Sequence, residues 1–380
     1  MRKIGCLTLV ICVLLTMLPA VRAAEPEIAA KSAVLLDAAT GTVLYEHNAH
    51  QPLHPASVTK VMTMLLIMEA LDAGRIRWDD TVTASEAAAA KGGSQIYLKA
   101  GETMSVTDML KSIAVSSAND CACAMAEHIA GSEGAFVDMM NKRAAELGMN
   151  DTHFVNCTGL DDDPSAKDHL TSAYDIALMS RELLTRHPKI KEFTTIWMDT
   201  VRDGTFGLSN TNKLVRFYPG CTGLKTGFTS AAGYCLSASA QRDSMELIAV
   251  VMGSETSKDR FAACKQLLDF GFANYALITP ELPENTLVPV RLGVSADVRV
   301  VPTENTKLLI DKSQVNQVQL RTELADSVAA PVSRGQQLGT LTIQVGDRVL
   351  EQIPLVAETA VNKLTWWEVF LSLLQRMAGT

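Results

Sequence analysis

An almost uniformly apolar stretch early in the chain, His54 to Leu71 (HPASVTKVMTMLLIMEAL), limits how the protein can fold. From Ser57 onward the stretch is predicted to be helical. Because its apolar residues cover nearly every side, the helix must be buried rather than lie on the surface. Lys60 follows the opening serine by three residues, so both share one helix face. Burying a charged lysine costs free energy, so a lysine at this position needs a reason. The pair is either a helix cap beside a solvated lysine or a nucleophile with its base.

The first residues predict that the chain is exported. Two basic residues precede an apolar run over residues 4–18, and Val21-Arg22-Ala23 supplies small residues for cleavage. This is the pattern of a secretory signal peptide, residues 1–23, cut after Ala23, and the apolar run is short for a membrane span. An uncleaved anchor is the alternative.

Composition and charge argue against a nucleic-acid partner. The chain has 380 residues, of which 47% are hydrophobic and 20% charged, which leaves room for two globular domains. Cleavage after Ala23 would remove three basic residues and no acidic ones, taking the formal net charge from −8 to −11. An acidic protein without basic clusters is a poor candidate for binding nucleic acid.

Cysteine spacing predicts no metal site. Export permits disulfides, but the spacing fixes no pairing and a chain of this length does not need them. No pair combines a zinc-type spacing with nearby histidines. We therefore expect the six cysteines that follow the signal peptide to be mostly small buried side chains: Cys121, Cys123, Cys157, Cys221, Cys235 and Cys264.

Three regions follow the signal peptide. Residues 24–279 begin with a predicted hairpin, continue with a block of helices, and end with two strand candidates, YCLSASA and ELIAVVMG, before a closing helix. Strands from both ends of a region, with helices between them, form an α+β pattern. Residues 280–357 are rich in Val, Thr and Pro in short alternating runs, which predicts a small all-β domain. Residues 358–380 are predicted to be a linker and a helix.

Two short motifs accompany Ser57 and Lys60. Ser117-Ala118-Asn119 lies sixty residues on, and Lys225-Thr226-Gly227 comes later. Ser-x-x-Lys alone is expected by chance in a chain of this size. All three motifs in this order, in an exported chain, are the signature of serine penicillin-recognising enzymes. The alternatives are an ordinary N-cap pair for the second motif and a surface turn for the third.

The first two motifs supply the reacting groups. A serine hydroxyl needs a base, and burial with other cations nearby lowers the pKa of a lysine toward neutrality. Lys60 can then take the proton of Ser57. Ser117 can relay that proton to the leaving amine, and Asn119 can hold Lys60 and an amide of the substrate.

The third motif supplies binding groups. Lys225 is predicted to begin a strand at a sheet edge and to offer positive charge to a carboxylate, while Thr226 adds a hydroxyl donor. Gly227 lacks a side chain and so lets a peptide approach the edge. An oxyanion hole needs two backbone N–H groups, and those of Ser57 and Phe228 are the candidates.

With these motifs the sequence resembles the low-molecular-mass penicillin-binding proteins that act as serine-type D-alanyl-D-alanine carboxypeptidases, the S11 peptidases. The likeness covers almost the whole chain, including LLDAATGTVLYEHNA, GGSQIYLKAGE, HFVNCTGLDDD, HLTSAYDIALMS and NTNKLVRFYPGCTGLKTG. It includes Arg260, where family members carry an arginine that helps to bind the terminal carboxylate. Ala118 stands where glycine is frequent. Phe228 stands where some members have histidine, so the chemistry is expected to survive and substrate preference to shift.

The resemblance implies an α+β catalytic domain of the β-lactamase/DD-transpeptidase type, a small all-β C-terminal domain and a terminal amphipathic helix. It implies a carboxypeptidase that removes the last D-alanine of peptidoglycan stem pentapeptides through an acyl-enzyme on Ser57, is acylated by β-lactams and needs no cofactor. A class A-like β-lactamase is disfavoured because FVNCTGLDDDPSAKDHLTS contains no glutamate. A DD-endopeptidase and, less favoured, a non-catalytic β-lactam or peptidoglycan-binding protein stay open.

The C-terminal stretch predicts a helix that lies in a membrane interface. The 14 residues from Leu364 to Met377 span about 21 Å as a helix, too short for a bilayer core of about 30 Å. Paired Trp366 and Trp367 favour the headgroup boundary. We expect attachment to the outer face of the cytoplasmic membrane, and the alternative is a helix packed on the β domain. The polar residues share one narrow face: Thr365, Glu368, Ser372, Gln375 and Arg376.

Overall fold

The structure is a computed structural model that describes residues 24–282, 286–303 and 307–377. The predicted signal peptide lies outside these residues. The described chain forms two compact units that divide between Asn274 and Tyr275.

The first unit is organised around a five-stranded antiparallel sheet with the order β2-β1-β9-β8-β7. Its first and last strands in the chain pair directly, with Ser32 opposite Met252, as the α+β prediction requires. The smaller pairs β3-β4 and β5-β6 lie outside this sheet. The strands of the unit are β1 (Ser32–Asp37), β2 (Val43–His47), β3 (Thr81–Thr83), β4 (Thr103–Ser105), β5 (Met198–Val201), β6 (Phe206–Ser209), β7 (Cys221–Thr229), β8 (Gly233–Arg242) and β9 (Met245–Ser254).

Most of the helices lie between β2 and β7 in the chain, as predicted. Ser172 caps the helix Ala173–Arg186 by accepting a hydrogen bond from the amide of Asp175 (3.2 Å). The α-helices are α1 (Lys60–Asp72), α2 (Glu86–Ala89), α3 (Val106–Ser116), α4 (Asn119–Ala130), α5 (Glu133–Glu146), α6 (Ala173–Arg186), α7 (Lys191–Thr194), α8 (Leu214–Phe217) and α9 (Ser257–Asn274). Short 3-10 helices cover Ala56–Thr59, Pro164–Asp168 and Pro188–Ile190.

Helix α1 forms the centre of the first hydrophobic core. Every residue from Lys60 to Met68 is buried, which confirms the prediction from its apolar pattern. The predicted start at Ser57 was wrong, however, because Ala56–Thr59 form a 3-10 turn and the α-helix begins at Lys60. Ala56 has a left-handed backbone (φ 48°), so an α-helix cannot extend in front of Ser57.

The second unit is the predicted small all-β domain with a terminal helix. Its main sheet has six strands in the order β14-β16-β17-β12-β11-β15, and β10 pairs with β13. Along β11 the side chains alternate, so that Val288 and Val290 enter the core and their neighbours face solvent. The elements are β10 (Tyr275–Ile278), β11 (Leu287–Arg291), β12 (Asp297–Pro302), β13 (Leu308–Asp311), a 3-10 helix (Lys312–Gln317), β14 (Val318–Leu324), β15 (Val328–Ala329), β16 (Gln337–Val345), β17 (Arg348–Ala357) and α10 (Trp366–Met377).

Helix α10 begins with a capping box. The amide of Thr365 donates to Glu368 Oε2 (2.7 Å), and the amide of Glu368 donates to Thr365 Oγ1 (3.4 Å). Trp366 and Trp367 are largely exposed, at 69% and 65%. Within the described residues, no helix has the length and apolar character needed to cross a bilayer.

The six cysteines of the described chain are free thiols. Five of them are buried and Cys221 is half-buried, which agrees with their interpretation as small core side chains.

Candidate active site

Ser57 and Lys60 meet at the junction between the 3-10 turn and α1. Lys60 Nζ donates hydrogen bonds to Ser57 Oγ (2.9 Å) and to the carbonyl oxygen of Thr158 (2.9 Å). Lys60 is fully buried, and the N-cap position of α1 is occupied by Thr59. The alternative of a helix cap beside a solvated lysine is therefore wrong.

The surroundings of Lys60 favour its neutral amine. Burial lowers the pKa of Lys60 to about 7, and the more distant Cys157 and Asp120 oppose this shift. The Asp120 carboxylate is itself held by backbone amides, including those of Ile96 (3.1 Å) and Leu98 (3.0 Å). Lys60 can therefore lose its proton near neutral pH, as a general base must.

The second motif occupies the turn between α3 and α4. Ser117 ends α3 in a left-handed conformation (φ 65°), and Asn119 is the first residue of α4. The N-cap position of α4 is Ala118, without a side-chain hydrogen bond, so the capping alternative is wrong. Ser117 Oγ and Asn119 Oδ1 are buried and have no hydrogen-bond partner among the described residues. Burying a polar atom in this way costs about 1–3 kcal/mol.

Asn119 does not contact Lys60 as we expected. Its Nδ2 donates instead to the carbonyl oxygen of Gly92 (2.7 Å), while Lys60 bonds Thr158. The loop that contains Gly92 packs closely against this amide. A Cβ atom on Gly93 would lie 2.7 Å from Asn119 Nδ2.

The third motif lies within the edge strand of the main sheet. Strand β7 is the predicted edge, but it begins at Cys221 rather than at Lys225. Lys225 is 1% exposed and its Nζ donates to the carbonyl oxygen of Thr226 (3.0 Å), which rules out a surface turn. Thr226 Oγ1 donates to Thr211 Oγ1 (2.7 Å).

Three basic side chains lie close to one another at this strand: Lys60, Lys225 and Arg260. Burial lowers the pKa of Lys225 well below its ordinary value, and the nearby Lys60 and Arg260 lower it further. Arg260 Nη1 donates to the carbonyl oxygens of Gly227 (2.8 Å) and Cys235 (3.3 Å). Within the described chain, none of the three basic side chains forms an ion pair with a carboxylate. A bound anion would favour their protonated forms, so the site suits an anionic ligand.

Gly227 is required by the 3-10 turn that carries Ser57 as well as by the strand edge. A Cβ atom there would lie 2.6 Å from the carbonyl oxygen of Pro55 and 3.1 Å from the amide nitrogen of Ser57. The strand thus packs directly on the turn, and the two predicted oxyanion donors belong to these adjoining segments. Phe228, the second of them, is 52% exposed and stacks on Tyr234 (4.3 Å between centroids).

Sequence reasoning missed the loop that holds Lys60. Asn156 Oδ1 accepts hydrogen bonds from the amides of Thr158 (3.1 Å) and Gly159 (2.7 Å), which orients the carbonyl group of Thr158. Asn-x-x-Gly is a turn signal that could have located this loop, but not its contact with Lys60. Thr211, which accepts the hydrogen bond of Thr226, belongs to no sequence motif that could have identified it. In the described residues, no cluster of His, Cys, Asp and Glu side chains could hold a metal ion.

Comparison with known families agrees with this geometry. A family model described as D-alanyl-D-alanine carboxypeptidase matches residues 19–256. A second model, the C-terminal domain of penicillin-binding protein 5, matches residues 282–363. The chain is 44% identical over 356 residues to the D-alanyl-D-alanine carboxypeptidase DacF of Bacillus subtilis, covering 92% of this chain and 89% of that protein.

Solved structures show the same likeness. Penicillin-binding protein 5 from Haemophilus influenzae superposes with a TM-score of 0.76 at 32% identity, over 90% of this chain and 100% of that chain. Penicillin-binding protein D2 from Listeria monocytogenes, in its ampicillin-bound form, has a TM-score of 0.60 at 32% identity, over 66% of this chain and 100% of that one. The chain therefore belongs to the S11 family of serine-type D-alanyl-D-alanine carboxypeptidases.

Proposed function

We propose that Ser57 is the nucleophile of a carboxypeptidase that removes the terminal D-alanine from peptidoglycan stem pentapeptides through an acyl-enzyme. The observation that carries this proposal is the 2.9 Å contact between Ser57 Oγ and the fully buried Lys60 Nζ. A serine beside a lysine with a pKa of about 7 has a base that is available at physiological pH.

The proposed reaction begins when Lys60 takes the proton of Ser57 as Oγ attacks the carbonyl carbon between the two D-alanines. Ser117 then relays a proton to the leaving amine, the last D-alanine departs, and water hydrolyses the ester on Ser57. The buried and unpartnered Ser117 Oγ and Asn119 Oδ1 support this assignment, because a bound substrate would satisfy both atoms. The amides of Ser57 and Phe228 are the proposed oxyanion donors.

Recognition of the substrate's terminal carboxylate is proposed for Lys225, Thr226 and Arg260. The basic side chains at the strand edge have no carboxylate partner among the described residues, and this supports the role, since a bound carboxylate would favour the charged forms of Lys225 and Arg260. Arg260 donates a hydrogen bond to the carbonyl oxygen of Gly227, so it holds the backbone of this edge in place as well as contributing charge.

β-Lactams are proposed to acylate Ser57. The ampicillin-bound relative from Listeria monocytogenes shares the fold and supports this proposal. No feature of the site favours a β-lactamase as a second function.

We also propose that the mature protein is exported and rests on the outer face of the cytoplasmic membrane through α10. The exposed Trp366, Trp367 and Phe370 form one aromatic cluster, with Trp366 stacked on Phe370 (5.5 Å). Such a cluster suits the headgroup region, and the helix is too short to span.

The experiment that tests the function is incubation of the mature protein with a stem pentapeptide ending in D-alanyl-D-alanine, followed by mass analysis. Loss of one alanine is expected. A cross-linked peptide dimer as a second substrate separates this activity from that of an endopeptidase. An intact pentapeptide after long incubation with folded protein would refute the proposal.

A further inference from the structure

A buried histidine outside the three motifs is connected to the nucleophile turn, the 3-10 turn Ala56–Thr59 that carries Ser57. His169 is 3% exposed and lies just before α6. Its Nδ1 accepts a hydrogen bond from the amide of Val155 (3.0 Å), and its Nε2 lies 2.8 Å from Thr59 Oγ1. Thr59 Oγ1 in turn donates to the carbonyl oxygen of Ala56 (2.8 Å). A continuous chain of hydrogen bonds therefore joins the imidazole to the residue before Ser57.

The partners of the ring fix its tautomer. An amide can only donate, so Nδ1 carries no proton and Nε2 carries one. The hydroxyl hydrogen of Thr59 is directed to Ala56, so its oxygen accepts the Nε2 hydrogen. Burial, with smaller contributions from His54 and His153, lowers the pKa of His169 to about 4, and the neutral form persists at physiological pH. Each hydrogen bond between Val155, His169, Thr59 and Ala56 therefore has one defined donor and one defined acceptor.

The end point of this chain is a strained backbone. Ala56 adopts a positive φ (48°), which L-residues rarely do, and it immediately precedes Ser57. On its other side the Ala56 carbonyl meets Gly159, where a Cβ atom would lie only 1.8 Å from the oxygen. A small rotation of this carbonyl would change the direction of Ser57 Oγ and the contact with Lys60.

Further hydrogen bonds join the segment before this turn to the segment around His169. Leu53 and Thr171 exchange two backbone hydrogen bonds (2.8 and 3.0 Å), and His54 Nδ1 lies 3.1 Å from the carbonyl oxygen of His169. The backbone around His169 is therefore positioned independently of its ring. This leaves the contact with Thr59 as the distinct contribution of Nε2.

We propose that His169 is a positioning residue, whose Nε2–H orients the Thr59 hydroxyl and thereby the Ala56 carbonyl and the nucleophile turn. The inference rests on the proposed role of Ser57 as nucleophile. His169 does not exchange a proton with the substrate. It sets the rate at which Ser57 is acylated.

Two amide substitutions separate the two ring nitrogens. His169→Gln places an amide NH₂ near Nε2 and can still donate to Thr59, whereas His169→Asn places its carbonyl near Nδ1 and retains only the bond from Val155. We expect the glutamine variant to keep a fluorescent-penicillin acylation rate within about twofold of wild type. The asparagine variant should lose about fivefold to tenfold, measured on protein with an intact thermal transition.

Matched controls come from His153, an exposed histidine whose Nδ1 lies 3.0 Å from the carbonyl oxygen of Asp168 and which does not touch Thr59. His153→Gln and His153→Asn should both leave acylation unchanged. Equal losses in the two His169 variants, or a greater loss for glutamine, would overturn the proposal, because the ring would then act only through Val155 or by filling space.

Substitutions of Thr59 test the proposal even if a histidine variant folds poorly, and a double-mutant cycle with a folded histidine variant extends the test. Thr59→Val removes the hydroxyl at nearly constant volume, and Thr59→Ser retains it. We expect Thr59→Val to lose acylation as His169→Asn does, and the double variant to be no slower than either single one. Additive losses, or a slow Thr59→Ser, would contradict a shared path.

Failure of the proposed function would look different. If Ser57 were not the nucleophile, Ser57→Ala would still be labelled by penicillin, whatever the His169 variants do. If only the positioning role fails, Ser57→Ala abolishes labelling while the two His169 variants do not differ in the expected order.

Discussion

The amine of the fully buried Lys60 lies 2.9 Å from the hydroxyl of the half-buried Ser57. Burial brings the pKa of Lys60 down to about 7. A base acts only in its deprotonated form, so protonation as the pH falls through about 7 removes it. We expect the second-order rate of penicillin acylation to rise with pH across this range and to drop about tenfold for each unit below it. A rate that does not change between about pH 5 and 8 would show that Lys60 is not the base.

Replacing Lys60 should abolish acylation even when positive charge is retained. Lys60→Arg keeps a cation that cannot lose its proton, so both it and Lys60→Ala should lose at least about a hundredfold to a thousandfold in acylation rate. Stopped-flow or gel-based labelling with a fluorescent penicillin gives the rate. The exposed lysine of α5 provides the control, since Lys142→Arg should have no effect. An active Lys60→Arg would refute the assignment.

Lys225 should matter for substrates with a free carboxylate and little for others. We expect Lys225→Ala to lower kcat/KM for a pentapeptide by about a hundredfold, because charge-assisted recognition is lost. A C-terminally amidated peptide should already be poor for wild type and suffer little further. Steady-state assays of both peptides with both proteins test this division. Equal losses on the two peptides would mean that Lys225 does not read the carboxylate.

Alanine substitutions at Gly159 and Gly148 distinguish the cost of backbone strain from that of a steric clash. Both have positive φ (81° and 74°), but a Cβ atom on Gly148 meets nothing within 4 Å, whereas one on Gly159 meets the Ala56 carbonyl oxygen at 1.8 Å. Gly148→Ala should cost about 1 kcal/mol in the free energy of unfolding from strain alone. Gly159→Ala should cost clearly more and also slow acylation. Urea denaturation measures the difference, and similar values for the two variants would contradict the packing described for the nucleophile turn.

Removing α10 should release the protein from membranes without harming the site. The segment before the helix pairs with the β domain, since Val361 bonds Val332 and the amide of Leu364 donates to Leu292. The cut should therefore follow Thr365. We expect the truncated protein to keep its penicillin-acylation rate and to lose binding to lipid vesicles in co-sedimentation. Full-length protein that ignores vesicles would refute the anchor, and an unfolded truncation would show that α10 belongs to the fold.

The elements and the three motifs could be predicted from the sequence because each depends on local pattern. The all-round apolar pattern of α1 fixed its burial, and the strands at both ends of the first unit were visible as short β-branched runs. The start of α1 could not be predicted, because the 3-10 turn before it packs against Gly159, about a hundred residues away in the chain, and no local pattern shows that contact.

Contacts across the chain account for what was missed at the site. The bond from Lys60 to Thr158 and the path from His169 to Thr59 join segments that no spacing rule relates. Asn119 was expected to hold Lys60, and its side-chain amide donates instead to the carbonyl oxygen of Gly92, 27 residues earlier in the chain. Motifs thus indicate which residues react, while the residues that orient them emerge only from the packed structure.

Peptide mapping after exposure to benzylpenicillin is the sharpest test of whether Ser57 carries the acyl group. Mass spectrometry of the digested wild-type protein should place one penicilloyl group on the peptide that contains Ser57, and Ser57→Ala should remain unmodified under the same conditions. A penicilloyl group on Ser117 or on any other residue of the wild type, or undiminished labelling of Ser57→Ala, would contradict the account.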